Sequence, residues 1–422
     1  MLLRTVLRLS SGTRLAPFLI GFVVIALGDN LSEWVTPHYW LSATGSASFA
    51  LAFVGPACAG AGAWEGSRIR RARLSDQSTV RSPLAIAFPL LLPVWGMGLI
   101  GMVAALLVSA TAADVGIGMP NPGILAVETV ILAANTLVGY LLGRLWAPAI
   151  AVPATLITSF VANAYPASWS ILWIRHLVGG GLSDCCSLDQ GLDRSAIWSA
   201  IVFGTAVCLA AAVLIQRGKT IPALLAASVL ATGGFTLGAA AAHDMGADPV
   251  TSRPTSMLAC DHGWPRICLW PEMNGQAVMI RAEGRKAADK LRRAGVTVPP
   301  TLTMADRARR NEAKLAIGPD TSTAEVRTGV AAGLLPQSPT CADNGEPYPG
   351  INAYGPVGAW LSLTAGVSSD TLTHRVTPPE LALAQHVIKQ PRQVQLTWYE
   401  RNTRAMRSCN IRPQLGINGS HT

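Results

Sequence analysis

Between positions 15 and 242 the chain is a series of apolar runs separated by short polar stretches, and that alternation leaves few folds open. A membrane-spanning helix needs about 20 largely apolar residues, because the hydrocarbon core is roughly 30 Å thick. Runs that fit lie at 15–28, 41–64, 84–110, 124–143, 147–164, 196–215 and 221–242. The first is short. Its alternative is a signal peptide flanked by Arg4, Arg8 and Arg14, although the loop after it lacks a clean small-x-small site. Charged residues make up 14% of the chain, against about 25% in soluble proteins. The deficit is confined to the region before His243. The sequence therefore predicts an all-α polytopic membrane region of about seven helices (1–242), a linker (243–259) and a mainly α domain outside the membrane (260–422).

Orientation follows from the basic residues, which accumulate in cytoplasmic loops. With the N-terminus inside, one set of loops holds Arg4, Arg8 and Arg14, then Arg68, Arg70, Arg71, Arg73 and Arg81, then Arg144, Arg217 and Lys219. The opposite loops hold Asp29, Glu33, Asp114, Asp184, Asp189 and Asp193 against only Arg175 and Arg194. Seven crossings would then leave the C-terminal domain on the extracellular side of a bacterial membrane. Cysteine placement tests this independently. Cys58 and Cys208 fall within spans, while Cys185, Cys186, Cys260, Cys268, Cys341 and Cys409 fall on the expected outer side, an even set suited to an oxidising compartment.

Cys260 and Cys268 flank a Gly-Trp-Pro turn and suit a small disulfide loop; with His262 they are alternatively metal ligands lacking a fourth partner nearby. Cys341 and Cys409 then form the expected second pair, with other pairings open and Cys185 and Cys186 unassigned. Helical periodicity dominates 274–294, 304–317, 323–335, 379–389 and 394–408, and a strand or two is expected near 263–270 and 356–364, an α+β admixture. Trp34, Tyr39, Trp40, Trp169 and Trp173 suit the water–lipid boundary. The interrupted apolar segment 165–181 is too short to cross and return; it reads as re-entrant or as an amphipathic loop.

Ionisable groups inside a membrane are costly and point to function. Glu128 is the clear case, with Asn135 seven residues later on roughly the same helical face. A substrate path or proton relay would use them; a solvated position at the outer interface is the alternative for Glu128. Gly234 and Gly238, and Gly96, Gly98 and Gly101, read as helix packing. Gly218–Lys219–Thr220 is no P-loop, because Val213 stands where the leading glycine belongs and a membrane helix precedes it. No HExxH, GxSxG or paired CxxC is present. Nothing points to an enzyme, a cofactor or a nucleic-acid partner.

Three segments carry a resemblance. A short basic N-terminus (1–14), a basic loop (65–82) and the interrupted outer segment (165–181) resemble those of ABC-2-type export permease subunits of high-GC Gram-positive bacteria. The Cys-Leu-Trp-Pro-Glu run at 268–272 is similar to the entry of a C-terminal domain of unknown function found in a subset of them. The resemblance implies a separate cytoplasmic ABC ATPase that supplies the energy, a homodimer or sister subunit, and Arg68, Arg70, Arg71 and Arg73 as the coupling surface. Topology and binding of anionic membrane lipid explain that arginine cluster equally well. A membrane-anchored extracytoplasmic binding or immunity protein is the second expectation, and a membrane enzyme the third.

Overall fold

The computed structural model describes residues 10–28, 34–72, 81–343 and 348–416; Arg4, Arg8, Asp29, Glu33 and Arg73 lie outside them. The chain divides into two compact units, Met1–Thr251 and Ser252–Thr422.

The first unit contains α1 (Ser11–Gly28), α2 (Trp40–Ala47), α3 (Leu51–Arg71), α4 (Pro83–Ala112), α5 (Pro122–Leu145), α6 (Pro148–Ala164), α7 (Arg194–Arg217) and α8 (Ile221–Ala242). A single 3₁₀ turn joins α2 to α3, so Trp40–Arg71 runs as one 32-residue rod. Six helices among the described residues are long and apolar enough to cross a membrane, that rod being one of them. The remaining expected span is α6, whose 17 residues stand at the lower limit of spanning length. Starts are set locally. Ser82 accepts from Ala85 N–H, Asn121 from Gly123 and Ile124 N–H, and Asp193 from Ser195 N–H, with proline at the opening turns of α4 and α5.

The rod containing α3 is the hub, 78% buried where α8 is 22% buried, and α3 packs against α1, α4, α5 and α6. Its closest approach is to α5, where Gly62 and Gly66 face Gly139 and Gly143. A Cβ on Gly66, Gly139 or Gly143 would strike the carbonyl of Tyr140, Ala59 or Ala63 respectively. Lipid is as apolar as a leucine side chain, so helices here gain from close backbone contact rather than from hydrophobic burial. Of the glycines read as packing residues, Gly98, Gly101, Gly234 and Gly238 do meet neighbouring helices, and Gly96 faces open space.

The second unit is mainly helical around a small sheet. Its strands are β1 (Ala259–Cys260), β2 (Arg266–Leu269), β3 (Thr301–Thr303) and β4 (Glu312–Lys314), in that spatial order. The first pair is antiparallel and the other two are parallel. The helices are α9 (Ala277–Arg293), α10 (Thr323–Ala332), α11 (Tyr354–Ala365), α12 (Pro378–Ile388) and α13 (Arg392–Met406). Ile267, Leu302, Ile280, Leu291, Val330 and Trp360 are fully buried in its core.

Two expectations are corrected here. The helix expected at 304–317 is absent and β4 lies in its place. Residues 302–305 are all buried, and Ala313 and Leu315 are buried two apart as strand geometry requires; with the Arg-rich turn between them, these apolar positions look like helical spacing. The strand expected near 356–364 is α11, buried on nearly every face, so its apolar run shows no helical period. Gly366, at φ 95°, ends that helix in the left-handed conformation that glycine adopts at no steric cost.

Candidate functional site

Asn135 lies near the middle of α5, and the fold brings it to two polar residues of α6 that the sequence reading passed over. Its Oδ1 accepts from Ser159 Oγ at 2.6 Å and from Asn163 Nδ2 at 3.3 Å, and its own Nδ2 donates to Ile131 O at 2.9 Å. Gly55 of α3 makes the space: a Cβ there would sit 3.3 Å from both amide nitrogens. These groups line a cavity of about 280 Å³ that also touches Thr155, Phe203 and Gly204. Amides and a hydroxyl donate and accept hydrogen bonds but stay neutral, so the cluster suits a polar or hydrated guest rather than proton transfer. The signal for it was present: Ser159 and Asn163, four apart in an otherwise apolar segment, fall on one helix face.

Glu128 is not solvated at an interface. In the second turn of α5 it is only 4% exposed, and Oε1 has no hydrogen-bond partner. The residues that surround it on its own helix, Ile124, Val127, Ile131 and Leu132, belong to the apolar core of the bundle. A carboxyl in such a place is a functional candidate because burial without a partner is costly.

The arginine cluster is partly helical rather than a loop, since α3 continues to Arg71. That extension buries Glu65, which accepts from both Ser11 N–H and Ser11 Oγ at 2.8 Å and so anchors the start of α1. Arg68 Nη1 donates to the other Glu65 oxygen at 2.8 Å. Arg70 reaches Leu145 O at 3.4 Å, and Arg71 lies over the Trp64 ring at 5.5 Å. The three described arginines therefore point to three different environments.

The segment after α6 folds as a 3₁₀ turn at Tyr165–Ser168 and a one-turn helix at Ile174–Leu177. Arg175 and His176 are buried there and tie it to the chain beyond α8, through Ala247 O at 3.4 Å and Gly246 O at 2.9 Å. Cys185 and Cys186 are joined to each other. Cys58 and Cys208 are free thiols.

In the C-terminal unit Cys260 bonds Cys268 and Cys341 bonds Cys409. The first pair sits directly opposite in the β1–β2 register, which leaves no thiol there for a metal, and His262 is exposed. Among the described residues no group of three or more His, Cys, Asp and Glu is placed to hold a metal ion. The most buried charged groups of this unit are paired. Glu283 accepts from Lys286 at 2.8 Å and from Arg327 Nη2 at 2.6 Å, and these donors hold its carboxyl below its ordinary range. Arg253 grips Glu272 through two nitrogens at 2.8 and 3.0 Å and stacks over the Trp270 ring at 4.6 Å.

Fold and site together define a multi-pass membrane protein that carries a separate, disulfide-bonded C-terminal domain. Residues 267–409, about a third of the chain, match the model of DUF7224, a domain of unknown function. No curated protein and no solved structure matches the chain.

Proposed function

We propose that this chain is the permease subunit of an ABC-type exporter in a bacterial cell membrane, powered by a separate cytoplasmic ATPase and working as a homodimer or with a sister subunit. The carrying observation is the polar cluster between α5 and α6, where Asn135, Ser159 and Asn163 meet at one wall of an otherwise apolar cavity within the bundle. Polar side chains within an apolar bundle mark a substrate path more readily than they serve packing alone. The basic ends of α1 and α3 support an N-terminus in the cytoplasm, with Arg70 and its neighbours as the coupling surface. The disulfides of the C-terminal unit fit an extracellular position.

Purification of the tagged protein in mild detergent, with mass spectrometry of what accompanies it, tests the reading. A stoichiometric ATPase is expected, and it should be lost when Arg68, Arg70, Arg71 and Arg73 are changed together to Ala. Recovery of the chain alone, or with envelope proteins only, would favour an anchored extracytoplasmic binding or immunity protein. The independent core of the C-terminal unit supports that second reading.

A further inference from the structure

At the end of the bundle where α1 begins and α3 ends, a groove of about 1180 Å³ runs between α1, α3 and α6. Its mouth carries Arg14, Arg68 and Arg71, and its depth is apolar, with Leu19, Ala57 and Leu156 among the lining residues. The Ser11–Glu65 hydrogen bonds bring the start of α1 against the last two turns of α3, so Arg14, Arg68 and Arg71 line the same end of the groove. From Arg71 to Ala57 the groove follows α3 for about 21 Å, longer than the roughly 15 Å half-thickness of the hydrocarbon core. Gly60 keeps it open: a Cβ there would stand 2.9 Å from Leu156. Leu15, Phe18 and Trp64 are exposed along its rim, so it faces sideways, toward what would be acyl chains.

We propose that this groove holds one anionic phospholipid, its phosphate on Arg14 and Arg71 and an acyl chain laid between α1 and α6. Charge complementarity selects the occupant. Glu65 offsets Arg68, and the net positive charge that remains at the mouth attracts a phosphodiester, whereas a zwitterionic headgroup carries its own cation. The guanidinium of Arg71, held over Trp64, already lies at the edge of the apolar slot. The proposal is independent of the permease reading, because the chain alone would bind the lipid with no ATPase present.

The test is thermal unfolding of the purified full chain in detergent, titrated with phosphatidylglycerol, phosphatidylcholine or glycerol 3-phosphate. Phosphatidylglycerol should raise the melting temperature saturably and the other two should not. Arg14→Gln with Arg71→Gln should weaken the apparent affinity about thirtyfold, from two basic side chains at ~1 kcal/mol each. Both residues are exposed, so the double variant keeps its fold. Ala57→Trp, which fills the slot and leaves the arginines in place, should abolish the saturable shift. Equal shifts with phosphatidylcholine, an effect of glycerol 3-phosphate alone, or an unchanged affinity in the double variant would overturn the proposal.

Discussion

In the membrane bundle the tightest helix pair, α3 with α5, meets through Gly62, Gly66, Gly139 and Gly143, whereas the C-terminal core is built around Trp270, Trp360 and Trp398. Each indole N–H there finds an acceptor: Met304 O, Gln395 Oε1 and Leu415 O. The contrast is one of solvent. Water rewards a domain for burying large apolar surface, at about 25 cal/mol per Å². Lipid gives no such reward, so membrane helices gain by bringing backbones close and by satisfying polar groups between them. Covalent cross-links follow the same division, with one pair 68 residues apart and one 8 apart in the C-terminal unit and only the adjacent Cys185–Cys186 pair in the first unit.

The largest expected effect lies in the cross-links. Cys341 and Cys409 stand 68 residues apart, so replacing both by Ser should lower the stability of the C-terminal unit by about 4 kcal/mol; the 8-residue Cys260–Cys268 loop is worth about 2.5 kcal/mol. Pulse proteolysis across a urea series, read on fragments of each unit, checks this. Loss of the membrane fragments at the same urea concentration would show that the two units do not unfold separately.

Next comes the ion pair. Arg327→Ala leaves the Glu283 carboxyl buried with Lys286 alone and should cost about 3 kcal/mol. Glu283 and Glu325 both have folded pKa values below the ordinary 4.5. Each therefore contributes stability that is complete above pH 4.5 and fades as the pH falls toward the lower folded value. Urea midpoints of the C-terminal unit between pH 6 and pH 3 should fall in the parent chain, and fall less in Glu283→Gln.

In the bundle, Gly139→Leu should force α3 and α5 apart at Ala59 and cost about 2 kcal/mol, measured by unfolding in mixed micelles with rising dodecyl sulfate. An unchanged midpoint would break the contrast between glycine contacts and tryptophan cores. The smallest effect belongs to Asn163→Ala. Hydrogen bonds between membrane helices average about 0.6 kcal/mol, so it should cost less than 1 kcal/mol in the same assay while still altering the cavity. A loss of several kcal/mol would make the polar cluster structural and remove the main support for a substrate path.

Sequence alone determined the class of the molecule, because apolar length and charge scarcity are composition effects that need no tertiary contact. The caps at Ser82, Asn121 and Asp193 act within three residues, so those helix starts are local too, although the reading of apolar runs did not name them. Glu128 and Asn135 did stand out: a polar residue in an apolar run is visible where it stands. Their surroundings were not visible. Whether Glu128 met water or a dry core depended on how α5 packs, and Asn135 found Ser159 and Asn163 only because Gly55 opens the space between three helices. Glu65 looked like a loop residue until the length of α3 and the arrival of Ser11 buried it. In the C-terminal unit, α11 and β4 were misread because burial on every face erases the helical period, and because a short strand owes its pairing to partners elsewhere in the chain. Local propensity and spacing reach only a few residues, and the positions that define the candidate site are set by contacts between segments far apart in sequence.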